Sequence, residues 1–316
     1  MLILLGASGY IGQAFVSELE RRGIPFLPVS RKKLDYTKFN LLREYLRESK
    51  PQLVINAAGH TGRPNVDACE DQKADTLLGN SLLPVTVAQA CESAGVGWGH
   101  ISSGCIYSGG KVQRDGVWVT ERDLNTPESR ARFDREPDGF RGFVETDEPN
   151  FTFRSPPCSF YSGTKALAEE ALETLKGGYI WRLRIPFDEF DNPRNYLTKL
   201  LRYPKIYDNI NSLSHRSDFA KACLDLWQRK APAGVYNVTN PGTVCTRDVV
   251  QRIREILKPN REFEFWANDD EFYRLGAKTP RSNCILDTNK LLATGVSIRP
   301  VREALRQSLE SWQPAE

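Results

Sequence analysis

A glycine-rich turn, placed directly after the apolar run Met1–Leu5, constrains the fold of this chain more than any other feature. Its residues are Gly6-Ala7-Ser8-Gly9-Tyr10-Ile11-Gly12, and a helical pattern continues from Gln13 to Arg22. Backbone N–H groups in such a turn, with the N-terminus of the following helix, can bind a pyrophosphate, and glycine avoids a side chain that would block the approach. The pattern predicts a strand, a turn and a helix that bind a dinucleotide, although such a turn also occurs without a ligand.

Strand and helix patterns alternate along the chain, which predicts an α/β fold with a doubly wound parallel sheet of the Rossmann type. The predicted strands are Leu2–Leu5, Phe26–Val29, Leu53–Asn56, Gly99–Ser102, Tyr179–Arg184 and Val235–Val238. The predicted helices are Gln13–Arg22, Phe39–Ser49, Leu82–Ala94, Tyr161–Leu175 and Ser217–Lys230. We expect ligands at the carboxyl ends of the strands, near the point where the strand order reverses.

Residues outside this alternation are expected to form a smaller C-terminal lobe that binds substrate, made of residues 187–211 and 243–316. The Rossmann-type domain then comprises residues 1–186 and 212–242. Within it, residues 109–157 form an insertion with eighteen Asp, Glu, Lys and Arg residues. We expect a solvated, partly mobile loop there, with a short strand at Val117–Thr120 and a helical turn near Pro127–Phe133; a lid or an interface element is the alternative.

Composition limits the functional classes. Of 316 residues, 26% are charged, and 43 Lys and Arg against 40 Asp and Glu leave a net charge of +3, which is no nucleic-acid signature. We find neither an apolar run of membrane-spanning length nor a signal-peptide pattern, and predict a cytoplasmic protein. The seven cysteines are scattered and the three histidines isolated, which predicts reduced thiols and no metal site.

Tyr161 and Lys165 form the second informative motif. Their spacing of four places both side chains on one face of a predicted helix. A phenol with a pKa of about 10 needs a nearby cation to exchange protons near neutral pH. An exposed tyrosine and lysine one turn apart would be the structural alternative. Together with the glycine turn, the pair predicts a hydride-transfer site.

Cofactor choice depends on the residues after the second strand. An acidic residue there would bind a ribose 2′-hydroxyl, whereas Ser30, Arg31 and Lys32 favour a 2′-phosphate and therefore NADP(H). The remaining residues assigned to the cofactor are Asp35 and Tyr36 beside the adenine, the small-residue stretch Asn56, Ala57, Ala58 and Gly59 beneath the dinucleotide, and Asn80, Tyr161, Lys165 and Pro186.

The spacing G-x-x-G-x-x-G followed by Y-x-x-x-K resembles the extended short-chain dehydrogenase/reductase superfamily. Longer stretches resemble the plant-type bifunctional nucleotide-rhamnose synthase/epimerase-reductase family, in order over nearly the whole chain. They are Asn56–Glu70, Ser103–Tyr107, Asn192–Lys199, Tyr236–Gly242 and Pro280–Asn283. The dTDP-4-dehydrorhamnose reductases are more distant relatives. Two departures from the plant-type pattern are a serine at 103 in place of threonine and the longer insertion, which puts the shape of the substrate mouth in doubt.

The resemblance implies NADPH-dependent reduction of a nucleotide-linked 4-keto-6-deoxy sugar. Tyr161 would protonate the ketone oxygen, Ser103 would hydrogen-bond that oxygen, and Lys165 would hold the nicotinamide ribose and lower the tyrosine pKa. The resemblance also implies 3,5-epimerisation by Cys105 and Lys199. Two alternatives remain open: Cys105 as a buried thiol, and Lys199 as a solvated lysine or a diphosphate contact.

The substrate is therefore expected to be a nucleotide sugar, with the choice between UDP and dTDP open. Residues assigned to it are Thr61, Arg63, Arg194, Asn195, Lys199, Arg281 and Asn283, with Arg194 and Arg281 on the diphosphate because guanidinium binds phosphate oxygens bidentately. Trp266 either stacks on the base or packs within the lobe. A homodimer is one possible assembly, and we expect no membrane or nucleic-acid partner. Two alternative functions remain. One is a reductase without epimerase activity; the other is a regulatory NADP-binding subunit, similar to the non-catalytic partner of methionine adenosyltransferase.

Overall fold

A computed structural model describes residues 1–63, 65–136 and 139–315 of the chain. Pro64, in one of the family-like stretches, and residues 137–138 of the insertion lie outside the described residues. No helix within the described ranges is long and apolar enough to cross a membrane.

A six-stranded parallel sheet forms the centre of the molecule, as the sequence predicts. Its strands are β1 (Leu2–Leu5), β2 (Phe26–Val29), β3 (Leu53–Asn56), β4 (Gly97–Ser103), β8 (Gly178–Leu183) and β13 (Gly234–Asn237). The order across the sheet is β13-β8-β4-β3-β1-β2, with every neighbouring pair parallel. The strand order reverses at β1, because β2 lies on one side of β1 and β3 on the other. A crevice therefore opens at the carboxyl ends of β1 and β3.

Helices cover both faces of this sheet, since strands that are apolar on both sides must be buried on both. On one face lie α1 (Tyr10–Arg21) and α9 (Arg216–Gln228), packed around Phe15 and Trp181. The other face carries α2 (Phe39–Ser49), α5 (Leu83–Ala94) and α7 (Phe160–Leu172). Short helices α3 (Ala68–Asp71) and α4 (Lys73–Leu77) and a π-helix (Leu78–Leu82) precede α5. The predicted doubly wound α/β fold is confirmed, with element ends shifted by a few residues.

The glycine turn owes its shape to close backbone contacts. Gly6 has a φ of +76°, and a Cβ there would lie 2.6 Å from the backbone nitrogen of Ala58. A Cβ on Gly12 would lie only 2.0 Å from the carbonyl oxygen of Gly6, because α1 packs directly on the turn. Neither position accepts a side chain without moving the backbone.

A separate apolar cluster lies in the C-terminal half, around Phe187, Val249, Phe263 and Leu305. Helices α8 (Tyr196–Arg202), α10 (Thr246–Ile256) and α13 (Val301–Glu310) contribute to this cluster, whereas α11 (Asp269–Leu275) and α12 (Asn289–Ala293) lie outside it. Two-residue strands pair here as β9 (Pro186–Phe187) with β12 (Ser214–His215), β10 (Lys205–Ile206) with β15 (Glu264–Phe265), and β11 (Ile210–Asn211) with β14 (Val244–Cys245). The division into the two predicted domains remains a proposal, to which this second cluster lends support.

The insertion forms a small sheet and a helix, which corrects the prediction of a loop. A three-stranded antiparallel sheet forms from β5 (Gly110–Arg114), β6 (Val117–Glu121) and β7 (Phe140–Arg141). Helix α6 (Pro127–Arg135) lies between β6 and β7 along the chain. The short strand and the helical turn predicted within it are both confirmed.

Apolar packing explains this structure. Phe133 and Phe140 share a cluster with Ile210 and Ile285 from the C-terminal half. Backbone hydrogen bonds tie the insertion to the same half, from Phe143 N to Ile285 O at 2.8 Å and from Ile285 N to Gly109 O at 3.0 Å. The many charged residues hide a small set of apolar positions that is enough to anchor the segment.

Candidate active site

A cavity of about 1070 Å³ opens where the crevice of the central sheet meets the C-terminal half. It is lined by residues from both, so ligand groups bound along the sheet and groups bound by the C-terminal half would meet in one space. Of the residues predicted for the site, those that line it are Ser8, Gly9, Tyr10, Ile11, Ala57, Ala58, Gly59, Thr61, Arg63, Asn80, Ser103, Cys105, Tyr161, Lys165, Pro186, Arg194, Lys199, Arg281 and Asn283, together with Trp266.

The glycine turn forms one end of this cavity. Helix α1 starts at Tyr10, its N-cap residue Gly9 is extended, and no side chain caps the helix. First-turn N–H groups without a side-chain cap, at the positive end of the helix dipole, are suited to an anion such as a pyrophosphate. The space that a Cβ on Gly6 or Gly12 would fill is already taken by backbone, so the turn fits the dinucleotide site that the motif predicts.

Tyr161 and Lys165 lie on the first turns of α7, which the side chain of Ser159 caps by accepting from Ser162 N at 3.1 Å. Lys165 is buried and its Nζ donates to the carbonyl oxygen of Ile101 at 3.2 Å. Burial lowers the pKa of Lys165 to about 8. An ideal Cβ on Gly59 would lie 3.9 Å from this Nζ, so the lysine approaches the small-residue stretch after β3.

Burial raises the pKa of Tyr161, with the neighbouring thiols of Cys105 and Cys69 acting in the same direction and Ser103 and Arg184 acting against it. In the protein alone the pKa of Tyr161 is therefore raised and not lowered, because burial of the phenol dominates. The consequence is a neutral phenol that carries its proton at physiological pH.

Cys105 and Ser103 lie side by side after β4. Ser103 caps the short 3₁₀ helix Gly104–Ile106 and accepts from Cys105 N at 3.3 Å. Burial raises the pKa of the Cys105 thiol, against which the side chains of Ser103 and Ser162 and the charges of Arg184 and Lys165 act. The thiol is thus enclosed but surrounded by groups that favour its anion.

Cations gather at the opposite wall of the cavity. Lys199 lies on α8, and burial followed by the charges of Arg194 and Arg281 lowers its pKa to about 8. Arg194 donates to Gly62 O at 2.8 Å, and Arg281 pairs with Asp67 at 2.7 Å. Both arginines therefore hold the loop after β3. Three cations facing one carboxylate leave a net positive wall suited to an anionic ligand.

Asn80 lies on the π-helix and joins the loop after β3 to α7. Its amide accepts from His60 N and donates to His60 O, both at 2.8 Å, and contacts Thr164 Oγ1 at 3.4 Å. The side chain is fully buried and still reaches the cavity wall, next to Lys165.

Five predicted site residues after β2 lie outside the cavity lining. Ser30, Arg31 and Lys32 are exposed after β2, outside the cavity lining, with Asp35 half-buried nearby and bonded to Thr37. Tyr36 is corrected from an adenine neighbour to a core residue, 4% exposed, because its ring packs beneath α2.

Asn195 is also corrected, since it is fully buried and does not line the cavity. Asn56 lies outside the lining too, and its assignment to the cofactor stays a prediction. Asn56 is buried, accepts from Ala58 N at 3.1 Å and contacts His100, so it shapes the end of β3. Asn195 is fully buried and caps α8, while its amide nitrogen donates to Asp188 and Phe190. Both buried amides hydrogen-bond to protein groups and hold the local backbone.

Sequence reasoning missed Arg184 and Ile185, which follow β8 and line the cavity. The available signal was a charged residue at the carboxyl end of a buried strand, the edge at which such sheets bind ligands. The predicted strand Tyr179–Arg184 included this arginine and so treated it as part of the core.

Comparison with known proteins agrees with this geometry. The model of the RmlD substrate binding domain family matches residues 1–313. A bifunctional dTDP-4-dehydrorhamnose 3,5-epimerase/dTDP-4-dehydrorhamnose reductase from Arabidopsis thaliana is 30% identical over 306 residues, which cover 96% of this chain and 90% of the plant protein.

Two crystal structures share the fold. The L780 UDP-rhamnose synthase from Acanthamoeba polyphaga mimivirus has a TM-score of 0.82 and 23% identity over 98% of both chains. A dTDP-4-dehydrorhamnose reductase from Bacillus anthracis in complex with NADP has a TM-score of 0.74 and 21% identity over 98% of this chain and 97% of that one. The resemblance deduced from the sequence motifs is confirmed: the chain belongs to the RmlD substrate binding domain family.

Proposed function

We propose that this chain is an NADPH-dependent 3,5-epimerase and 4-reductase that converts a UDP- or dTDP-linked 4-keto-6-deoxyglucose to the L-rhamnose nucleotide sugar. One observation carries the proposal. Two sets of reactive groups line one cavity: Ser103, Tyr161 and Lys165 for reduction, and Cys105 and Lys199 for proton transfer beside the ketone.

The reduction uses the phenol as an acid. A nicotinamide cofactor bound along the glycine turn would supply the hydride to the ketone carbon. Tyr161, kept neutral by burial, donates its proton to the ketone oxygen, and Ser103 donates a hydrogen bond to the same oxygen. Lys165, with a pKa of about 8, is largely charged at neutral pH and stabilises the phenolate left behind.

Epimerisation needs a base and an acid on the two faces of the sugar ring. The ketone acidifies the C–H bonds on both neighbouring carbons, and the thiolate of Cys105 removes one such proton to give an enolate. Lys199, whose pKa is about 8, carries a proton at neutral pH and can deliver it to the opposite face. Its other candidate role, a contact to the diphosphate, draws on the same positive charge.

The cofactor is proposed to be NADP(H), bound by residues 1–186 and 212–242. No carboxylate ends β2, and the exposed side chains of Arg31 and Lys32 are free of ion pairs within the described chain. The nucleotide sugar is proposed to lie against residues 187–211 and 243–316, with its diphosphate at Arg63, Arg194 and Arg281. Formation of a homodimer remains a prediction from the sequence.

Solvent exchange separates this proposal from a reductase without epimerase activity. The purified wild type, given the 4-keto-6-deoxy sugar nucleotide in heavy water without NADPH, is expected to incorporate deuterium at carbons 3 and 5, detected by NMR and mass spectrometry. Cys105→Ser replaces the thiol with a hydroxyl, a far weaker acid, so exchange falls sharply while an already epimerised keto sugar is still reduced.

Tyr161→Phe is the matched variant for the other half of the reaction. Loss of the hydroxyl alone is expected to lower reductive turnover by about two to four orders of magnitude, with NADPH binding near normal by fluorescence titration. Reduction confined to the epimerised substrate, with no exchange by wild type, would leave the reductase-only function. NADPH binding with neither activity would favour the regulatory subunit.

A further inference from the structure

Arg184 occupies an unusual position beside the reactive groups. It follows β8, is 6% exposed, and lines the same cavity as Tyr161 and Cys105. The next residue, Ile185, has a φ of +37°, which a β-branched side chain rarely adopts. Such backbone strain persists only where the surrounding contacts hold it, and it concentrates at functional sites.

The hydrogen bonds of Arg184 fix its guanidinium without neutralising it. Asn211 Oδ1 accepts from Nε at 3.1 Å and from Nη2 at 2.6 Å, and the carbonyl oxygen of Ser282 accepts from Nη2 as well. No carboxylate of the described ranges lies within 4 Å of this guanidinium. Its Nη1 bonds to no described protein atom and is not among the fully enclosed polar atoms, so it is reached from the cavity.

A permanent cation matters here because the chemistry beside it is anionic. Burial alone would keep the Cys105 thiol protonated, and Lys165 loses its positive charge as pH rises through about 8, because burial lowers its pKa to that value. Arginine stays protonated in proteins under all ordinary conditions. An uncompensated buried guanidinium therefore gives this part of the cavity a charge that does not change with pH.

We propose that Arg184 is the fixed positive charge that stabilises the two anions of epimerisation, the Cys105 thiolate and the enolate formed from the sugar. The inference rests on the proposed epimerase function. In the step itself the thiolate sulfur takes the proton, the C–H bonding pair becomes the new C=C bond, and the carbonyl π pair moves to the oxygen. The negative charge is moved within the cavity and none is created, so one cation serves both states.

The test measures the acidity of Cys105 without substrate. Iodoacetamide labelling of the Cys105 peptide is followed by mass spectrometry across pH for the wild type, Arg184→Gln, Arg184→Lys and the control Lys205→Gln. The control removes a different cation from the cavity wall, one that pairs with Glu271. Deuterium exchange into the keto sugar without NADPH is measured on the same four proteins.

We expect Arg184→Gln to raise the labelling midpoint by about one pH unit or more, which leaves about tenfold less thiolate at a given lower pH, and to slow exchange accordingly. Arg184→Lys is expected to restore most of both, and Lys205→Gln to change neither. If Arg184→Gln leaves the labelling midpoint unchanged, the proposal is overturned. An unchanged midpoint with KM raised equally for epimerisation and reduction would show instead that Arg184 binds the substrate.

A second variant covers the case in which Arg184→Gln does not fold. Asn211→Asp leaves Arg184 in place and sets a carboxylate against its guanidinium, so the midpoint is again expected to rise. A midpoint that stays at the wild-type value in this variant also overturns the proposal. If the wild type does not exchange deuterium, the epimerase function is refuted instead. The labelling midpoint would still show whether Arg184 lowers the pKa of Cys105.

Discussion

Two buried arginines, two residues apart at the end of one strand, have opposite surroundings. Arg182 donates to the carboxylate of Glu169 from Nε at 2.9 Å and from Nη2 at 2.6 Å, and to Tyr107 OH at 3.2 Å. Glu169 also accepts from Ser102. Arg184 has only neutral acceptors. The carboxylate of Glu169 compensates the charge of Arg182, whereas no carboxylate of the described residues compensates that of Arg184.

The difference separates a cation that supports the fold from cations whose charge is left uncompensated at the cavity. Arg182 joins β8 to α7, β4 and the insertion through one compensated network, so its loss would leave a buried carboxylate alone. Arg63, Arg194 and Lys199 at the cavity form no ion pair among the described residues. Arg281 and Lys205 are exceptions, since they pair with Asp67 and Glu271, yet Nη1 of Arg281 has no partner within the described residues.

The largest effect is expected for Arg182→Met. Breaking a buried ion pair by removing one partner costs about 3–5 kcal/mol of unfolding free energy, because Glu169 is left charged and unpaired. Urea denaturation of this variant and of Arg184→Gln gives the comparison, and Arg184→Gln should lose clearly less because only neutral acceptors lose a donor. Equal losses of unfolding free energy in the two variants would mean that both arginines contribute to the stability of the fold in the same way.

A smaller effect, on cofactor binding alone, is expected for Arg31→Ala. Loss of a charge-assisted contact to a 2′-phosphate should weaken NADPH by about 1.5–3 kcal/mol and leave NADH binding and unfolding unchanged. Titration of both cofactors measures this, with exposed Arg302→Ala as the control. Equal weakening of NADPH and NADH would remove Arg31 from the cofactor site.

The smallest effect is a gain in stability for Lys199→Met. The pKa of Lys199 is about 8 in the folded protein against an ordinary 10.5, so the folded state disfavours its charge. That penalty is fully present below pH 8 and fades as pH rises from about 8 to 10.5, where the folded protein has lost a proton that the unfolded chain retains.

Removing the charge should therefore raise the unfolding free energy at pH 7, and the gain should vanish by about pH 10.5. Lys205→Met, which breaks the pair with Glu271, serves as the control and should give no such gain. Thermal unfolding at several pH values measures both. Destabilisation of Lys199→Met at pH 7 would show that this lysine supports the fold.

The sequence predicts the fold well where periodicity and glycine act locally. Apolar runs of four residues and the glycine turn define β1, β2 and β3 and the start of the cofactor site. The insertion was mispredicted because its few anchoring residues, such as Phe133 and Phe140, contact Ile285 far along the chain, and no local pattern reports that contact.

The same limit explains the errors at the site. Asn195 and Tyr36 carry residue types suited to binding, but their side chains point into protein, which only tertiary packing decides. Arg184 was missed for the opposite reason. Its position on an apolar strand indicated core, while its exposure to the cavity depends on Asn211 and Ser282, which lie in other segments.

The shared packing of the insertion has a consequence for engineering chimeras of such enzymes. In the sequence, residues 109–157 resemble an independent segment that could be exchanged between related proteins. Excision would uncover Ile210, Cys245 and Ile285, which the insertion now shields from water. A transplant that is to remain folded must therefore include the residues of the C-terminal half on which the insertion packs.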